Sequence, residues 1–218
     1  MSFLKQRKEM VKRLENLGYI RSENVKNAML RIKREFFVPE HLKESAYIDT
    51  PLPIPGNQTI SAPHMHALCL EYLELKKGEK FLEVGAGSGI FLAYAYELIK
   101  ERNKVFGIEI VPETYEFARK NLEKAKYSNK VRLILGDGSL GLPEEAPFDK
   151  ILISAAAPKF PPPLIKQLKE NGIILGMIGS PYGEQYLVRG VKKKGRLKTE
   201  RILGVIFVPL TGKYGWKI

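Results

Sequence analysis

The sequence predicts an α/β fold, a mostly parallel, doubly wound sheet preceded by N-terminal helices and completed by a C-terminal antiparallel hairpin. Three observations lead there. Beyond Lys80, short apolar runs alternate with helical periodicities, which is the pattern of a parallel sheet covered on both faces. Before Lys80 the periodicity is mainly helical. After Gln185 it changes to two strand-like stretches joined by a Lys/Gly turn, which fits a hairpin at the edge of the sheet.

The opening helix carries Leu4, Val11, Leu14 and Leu17 on a helical period. A second helix places Val25, Ala28, Met29 and Ile32 at i, i+3, i+4 and i+7 of one face, with Gly18 separating the two. From Tyr47 to Pro63, Pro51, Pro53, Pro55 and Pro63 interrupt any periodicity, so this stretch is expected as an irregular segment draped over the fold. Loops of that kind often carry function. Met65 to Leu73 regains helical character. The strand candidates are Lys80 to Val84, Lys104 to Ile108, Val131 to Leu135, Lys150 to Ser154 and Ile173 to Ile178. Between them, Phe91, Leu92, Ala95, Leu98 and Ile99 form one helical stripe. Tyr115, Ala118 and Leu122 form the next, with Pro112 in a first turn that tolerates it. A third helix is expected from Pro161-Pro162-Pro163 to a stop at Asn171-Gly172. The closing strands are expected at Tyr186 to Val191 and Arg201 to Val208.

With 218 residues, 44% of them apolar, the chain is long enough for one substantial core, and we expect one domain over 1–218. Within it, 1–79 supplies the N-terminal helices and the proline-rich loop, 80–180 the parallel core and 181–218 the hairpin and tail. A formal charge of +12 raises nucleic acid or an anionic membrane as partners. The cations are nevertheless spread from Lys5 to Lys217, and the densest run, Lys192-Lys193-Lys194, reads as a solvated hairpin turn. High Lys, Glu and Ile usage suits a heat-adapted surface. Cys69 is the only cysteine, which excludes an intrachain disulfide and a Cys-based zinc site and fits a reducing compartment. The charged N-terminus lacks the apolar stretch of a signal peptide, and no segment approaches the ~20 apolar residues of a membrane span. The expectation is a soluble, cytoplasmic protein.

The residues that point to a cofactor lie at the carboxyl ends of the expected strands, where open α/β sheets place their ligands. Glu83-Val84-Gly85-Ala86-Gly87-Ser88-Gly89 follows one strand and precedes a helix. Glycines there let the backbone approach a ligand closely, although a tight turn alone explains them too. Glu109 ends the next strand at the distance where a carboxylate accepts both ribose hydroxyls. A nicotinamide cofactor satisfies that spacing as well. S-adenosylmethionine is favoured because Ile90 stands where Gly-x-Gly-x-x-Gly needs its last glycine, and because Glu83 suits a sulfonium or an amine far better than a pyrophosphate. Gly136-Asp137-Gly138 ends the third strand. In class I methyltransferases an acidic residue there commonly contacts the adenine amino group, while the plainer reading of Asp137 is a turn aspartate.

What is done with that cofactor is suggested by Gln58-Thr59-Ile60-Ser61-Ala62-Pro63-His64-Met65, about two dozen residues upstream of the glycine turn, and by Phe207-Val208-Pro209-Leu210. With these motifs the chain resembles the protein-L-isoaspartate O-methyltransferase family over nearly its whole length, from Phe36-Phe37-Val38-Pro39 to Leu210. The resemblance implies the class I, Rossmann-like methyltransferase fold, S-adenosyl-L-methionine as cofactor with S-adenosyl-L-homocysteine as product, and damaged proteins or peptides containing L-isoaspartyl residues as substrates. Transfer to the free α-carboxylate, with the β-carboxylate of D-aspartyl residues as a further acceptor, starts a repair that runs through a succinimide. Two departures from the family's usual pattern, the extra Pro55 before Gly56 and Ile90 in place of a frequent Tyr, remove no group the chemistry requires.

Methyl transfer from a sulfonium is an in-line displacement that needs alignment and exclusion of water. An α-carboxylate with a pKa of about 3.5 is already ionised at neutral pH, so no strong base is required. Ser61 is the candidate catalytic residue, a hydrogen-bond donor that orients the acceptor. Its competing role is the N-cap of the helix that starts at Pro63. A nucleophilic role lacks both an adjacent base and a nucleophile elbow. His64-x-His66 lacks the further ligands of a metal site. The resemblance carries His66 and Thr211 over as cofactor contacts, joined by Thr59, Ile60, Glu83, Gly85, Gly87, Ser88, Glu109, Asp137 and Gly138. Val208 and Leu210, with Ser61, are expected to meet the substrate, presenting backbone groups to an extended peptide. A monomer without a stable nucleic-acid partner is expected. The charge keeps an RNA methyltransferase of the same fold as the alternative. Against it, Ala155-Ala156-Ala157-Pro158 stands where amino-directed base methyltransferases carry Asp/Asn-Pro-Pro-Tyr/Phe, and no separate RNA-binding module is visible. A non-enzymatic nucleic-acid-binding protein would leave Glu83, Glu109, Asp137 and Ser61 unexplained.

Overall fold

The computed structural model describes residues 2–217. Two helices open the chain, α1 (Phe3–Asn16) and α2 (Glu23–Arg31), each capped by a serine side chain, from Ser2 and Ser22. α1 buries the middle of the expected stripe but not its ends. Leu4 and Leu17 are exposed while Arg7, Met10, Val11 and Leu14 are buried, because the face turned to the core is centred on Met10 and Leu14. α2 buries Val25, Ala28 and Met29 as expected, and Ile32 follows them into the core.

The proline-rich segment is more regular than expected. Leu52–Ile54 (β1) and Gln58–Ile60 (β2) form a short antiparallel hairpin with Pro53 opposite Thr59. Gly56 (φ +82°) and Asn57 (φ +56°) give it the left-handed turn that two-stranded hairpins prefer. The prolines obscured the strands without preventing them, since a two-stranded ribbon leaves every residue on an edge. Helix α3 (Pro63–Leu73) follows directly. Glu71 on α3 accepts from the backbone amides of Arg21 and Ser22 and from the Ser22 hydroxyl, tying the start of α2 to the body of the protein.

The main sheet comprises β3 (Phe81–Val84), β4 (Val105–Glu109), β5 (Arg132–Leu135), β6 (Phe148–Ala157), β7 (Leu168–Gly179), β8 (Gln185–Lys193) and β9 (Arg196–Val205), in the order β5-β4-β3-β6-β7-β8-β9. The first five are parallel, while β8 and β9 are antiparallel additions at the edge. Strand order reverses between β3 and β6, so the carboxyl ends of β3 and β6 flank the switch-point crevice, with the end of β4 beside it. β3 and β4 are buried throughout, which is why they are mainly apolar, with Glu83 and Glu109 as the charged exceptions near their carboxyl ends.

Helices α4 (Ile90–Ile99) and α5 (Pro112–Lys124) pack with α1 to α3 on one face, around Phe81, Phe91, Leu92, Leu122 and Leu70. The other face holds Leu82, Val84, Phe106, Ile108 and Phe148 under the short α6 (Pro162–Gln167). α6 stops four residues before the expected Asn171-Gly172. Leu168 already has extended backbone and pairs with Phe148, and Asn171 takes a left-handed conformation (φ +62°) inside the irregular start of β7. The final strand is also shifted. β9 ends at Val205, and the chain then crosses back so that Pro209 bridges to Ala156 of β6. No helix among the described residues is long and apolar enough to cross a membrane.

Candidate active site

Strand β3 delivers Glu83 and the glycine turn. Phe81 and Glu83 point to the α3/α4 face while Leu82 and Val84 point to the other, so the pleat drives the Glu83 carboxylate into the core. It is 2% exposed, and its Oε2 has no hydrogen-bond partner. Burial, followed by the charge of Glu109, holds its pKa well above the usual carboxylate range. Gly85, Gly87 and Gly89 all have positive φ (86°, 54° and 82°), a path that side chains rarely permit, and Gly89 starts α4. A Cβ added at Gly87 would meet nothing nearer than 3.9 Å, so the missing side chain leaves open space beside the turn.

Glu109 ends β4 and is 5% exposed. Its Oε2 accepts from the Gly87 amide (2.9 Å) and its Oε1 from the amides of Ile110 (2.9 Å) and Val111 (3.0 Å). Burial raises its pKa and those three amides pull it back. Glu109 thus fixes the glycine turn to the end of the neighbouring strand.

The loop leading into α3 covers the turn. Thr59, Ile60, Ser61 and His66 line a narrow recess with Glu83, Gly85, Gly87 and Ser88. Through Thr59, Gly85 and Gly87 it adjoins a cleft of about 310 Å³ that Glu109, Gly138, Val208, Leu210 and Thr211 also line. On its other side Ser61 borders an outward-facing cleft of about 190 Å³ with Pro51, Ala62, His64 and the 203–207 segment. Ser61 is not the helix cap: Ala62 occupies that position and no side chain caps α3. Ser61 lines both the inner recess and the outer cleft. His64 is engaged by Asp49, which accepts from its backbone amide (2.9 Å) and lies 3.0 Å from its Nδ1. His66 is 7% exposed, and burial together with Arg34 holds its pKa well below that of a free histidine.

Two further expected contact regions also serve the protein's own structure. The Asp137 carboxylate is occupied by the protein itself: Oδ1 accepts from the Ser139 amide (2.9 Å) and hydroxyl (2.6 Å), and Oδ2 from the Lys213 amide (2.8 Å). It clamps the C-terminal tail, where Gly212 (φ +110°) passes too close for a side chain. Gly138, its neighbour, lines the cleft with Glu109, whereas Asp137 borders a separate depression with Leu140 and Tyr214. At the other edge, the Val208 carbonyl and the Leu210 amide both bond to Ala156 (2.8 Å each), so these backbone groups hold the tail to β6. The Val208 carbonyl and the Leu210 amide are thus engaged by β6, and both residues line the cleft.

Several contributors carry no signal in the sequence. Arg34 is fully buried and donates to the Ser61 carbonyl. Asp49 orients His64. The Ser154 hydroxyl, which lines both recess and cleft, lies 3.0 Å from the Val84 carbonyl. Each is tied to the site by a contact far along the chain, which no local pattern encodes.

A buried, unpaired carboxylate beside an open glycine turn is complementary to a cation, and Glu109 is buried at the end of the next strand. On this sheet, with its reversed strand order and antiparallel edge, that combination defines a class I S-adenosylmethionine-dependent methyltransferase. Comparison with known proteins narrows the class. The family model of protein-L-isoaspartate(D-aspartate) O-methyltransferase matches residues 5–215, and the chain belongs to that family. Protein-L-isoaspartate O-methyltransferase of Hyperthermus butylicus is 49% identical, with 99% of this chain and 92% of the relative covered. That of Thermococcus onnurineus is 50% identical over 95% of this chain and 94% of its own. Among solved structures, a candidate protein-L-isoaspartate O-methyltransferase of Plasmodium falciparum in complex with S-adenosyl-L-homocysteine superposes with a TM-score of 0.85. It is 32% identical, and the match covers 94% of this chain and 98% of that one.

Proposed function

We propose that this protein transfers a methyl group from S-adenosyl-L-methionine to the free α-carboxylate of L-isoaspartyl residues in damaged proteins and peptides, with the β-carboxylate of D-aspartyl residues as a second acceptor. The observation that carries the reading is the meeting of two features in one recess, the unpaired buried carboxylate of Glu83 and the hydroxyl of Ser61. S-adenosylmethionine supplies an electrophilic methyl carbon on a cationic sulfur. Glu83 suits its charged methionine end, Gly85, Gly87 and Ser88 give backbone approach, and Glu109 suits the ribose. Thr59, Ile60, His66, Gly138 and Thr211 line the remainder. Asp137 acts from behind Gly138 by holding the tail.

On the acceptor side, Ser61 donates its hydroxyl hydrogen to one carboxylate oxygen and steers the other toward the methyl carbon. The new O–CH₃ bond forms as the S–CH₃ bond breaks, and the electron pair stays on sulfur. No base is required because the acceptor enters ionised. Aligning the two reactants and shielding them from water supply the rate enhancement. The outer cleft beside Ser61 takes the peptide, with Ile206 and Phe207 on its border, while Val208 and Leu210 line the adjoining inner cleft from the tail. The methyl ester then closes to a succinimide, which reopens in part to normal aspartate. We infer a monomer acting on polypeptides, without a stable nucleic-acid partner.

The test uses paired peptides that differ only in an isoaspartyl or a normal aspartyl linkage, incubated with labelled methyl donor. Base-labile label confined to the isoaspartyl peptide is expected. Equal labelling of both peptides, or label appearing only in added RNA, overturns the assignment.

A further inference from the structure

We propose that Arg34 is a positioning residue for methyl transfer, which pins the Ser61 loop and fixes His66 as the Nε2-protonated tautomer, so that His66 is a hydrogen-bond donor in the recess. The inference rests on the function proposed above for the site.

Arg34 lies in a short turn after α2 and is 0% exposed. Its three nitrogens reach three acceptors on different segments: Nε donates to the Ala46 carbonyl (2.7 Å), Nη2 to the Ser61 carbonyl (2.8 Å), and Nη1 lies 3.3 Å from His66 Nδ1. A guanidinium has donors only, so Nδ1 must be the acceptor and carry no hydrogen. Burial and the neighbouring cation keep the ring neutral, and a neutral imidazole has one N–H, which must then sit on Nε2. His66 lines the recess with Glu83 and Ser61. Phe91 and Tyr94, with ring centroids 6.0 and 5.7 Å away, pack beside the imidazole and limit its rotation.

The charge on Arg34 supports a role beyond packing. Among the described residues no carboxylate lies within ion-pair distance of it, and all three of its partners are neutral. Burial lowers its pKa to about 10, which still leaves it cationic at neutral pH. The Asp49 carboxylate favours it from beyond ion-pair distance, and a buried cation so weakly compensated destabilises a fold unless something offsets it. Here it stands behind the serine that meets an anionic acceptor, so binding that acceptor improves its surroundings. Lysine cannot substitute, because one ammonium group does not reproduce a planar fork aimed in three directions.

The test is made on the full-length enzyme labelled with ¹⁵N-histidine, His66 being assigned by comparison with His66→Gln. In the wild type, His66 should show a pyridine-type Nδ1 and a pyrrole-type Nε2 that persist through neutral pH. In Arg34→Lys the two tautomers should mix. In the same variant kcat for an isoaspartyl peptide should fall by about tenfold or more, equivalent to about 1.4 kcal/mol, with KM changed less. Added guanidinium should restore part of the kcat of Arg34→Ala. A proton found on Nδ1 in the wild type overturns the proposal. So does an Arg34→Lys enzyme that keeps its kcat and loses only thermal stability. The wild-type tautomer needs neither a substrate nor an Arg34 variant, so it tests the hydrogen bond from Arg34 to His66 even if the isoaspartyl peptide is not methylated.

Discussion

Glu83 and Glu109 end neighbouring parallel strands with both carboxylates buried, yet only Glu109 is satisfied by the protein. Glu109 accepts three backbone amides, whereas Glu83 has an oxygen without any partner. In the function proposed above, the difference leaves Glu83 as the carboxylate with an oxygen free for a cation, while Glu109 also braces the glycine turn. Polar groups buried without partners are uncommon in folded proteins and call for an explanation.

Glu83→Gln should therefore weaken cofactor binding while stabilising the cofactor-free protein. The sign follows from the raised pKa. Between the carboxyl's unfolded and folded pKa values the native state holds a proton that the unfolded state has lost, so stability falls as pH rises through that window. Glutamine removes this loss. Binding of a cationic ligand favours the ionised form, so wild-type affinity should increase as pH rises toward the folded pKa, and the variant should lose that slope. We expect affinity for S-adenosylmethionine to drop about tenfold or more, about 1.4 kcal/mol, and the thermal midpoint of the cofactor-free variant to rise at neutral pH. Calorimetric titration across pH together with thermal unfolding would check both; unchanged affinity would remove Glu83 from the cofactor site.

Ser61→Ala should separate catalysis from stability. Ala62, rather than Ser61, holds the capping position of α3, so no helix cap is lost. One hydrogen bond to a charged acceptor is worth about 1.5–3 kcal/mol, so kcat on an isoaspartyl peptide should fall by roughly 10- to 100-fold. Cofactor affinity and thermal midpoint should change little. A variant that mainly loses cofactor affinity would show that the hydroxyl serves the donor and not the acceptor.

Asp137→Ala should release the C-terminal tail. Its carboxylate holds the Ser139 hydroxyl and the Lys213 amide, and Ser139 Oγ in turn accepts from the Tyr214 amide (3.0 Å). Removing the carboxylate leaves these donors to find water, at a cost of about 1–3 kcal/mol. Hydrogen exchange should show the Lys213 and Tyr214 amides losing protection before the core strands do. If those amides stay protected while cofactor affinity collapses, Asp137 is a direct adenine contact and the clamp is incidental.

These residues show what the chain made legible and what it did not. The central parallel strands were readable because burial on both faces leaves mainly apolar runs, and Glu83 and Glu109 because a strand end beside a glycine turn is a local pattern. Ser61 was readable from its motif, but its freedom from capping was not, since Ser followed by Pro suggests a cap and only the backbone at Ala62 decides. Arg34 was invisible: its contacts reach 27 and 32 residues along the chain, to Ser61 and His66. Asp137 sat where expected, yet its partner at Lys213 lies 76 residues away, and that distant amide determines what the carboxylate does. The end of α6 was misplaced for the same reason, because pairing of Leu168 with Phe148 outweighed the helix-stop signal of Asn171-Gly172.

Ile206 offers a test of where the peptide lies. It is 95% exposed, although it is a large aliphatic residue, and it borders the outer cleft that Ser61 shares with Pro51, Ala62, Leu203 and Val205. An isolated exposed isoleucine is unremarkable, but one on the apolar rim of a cleft beside the acceptor serine is placed to cover a substrate side chain. Fully burying such a residue is worth about 1.5–3 kcal/mol, and a flexible peptide covers only part of it. Ile206→Ser should therefore raise KM for an isoaspartyl peptide by about threefold to tenfold, which corresponds to about 0.7–1.4 kcal/mol. Thermal midpoint and cofactor affinity should stay unchanged, because the side chain packs against little in the folded protein. Steady-state kinetics with peptides carrying an apolar or a charged residue beside the isoaspartyl linkage provide the check: the apolar peptide should lose its advantage in the variant. An unaltered KM for both would place the polypeptide on another side of Ser61.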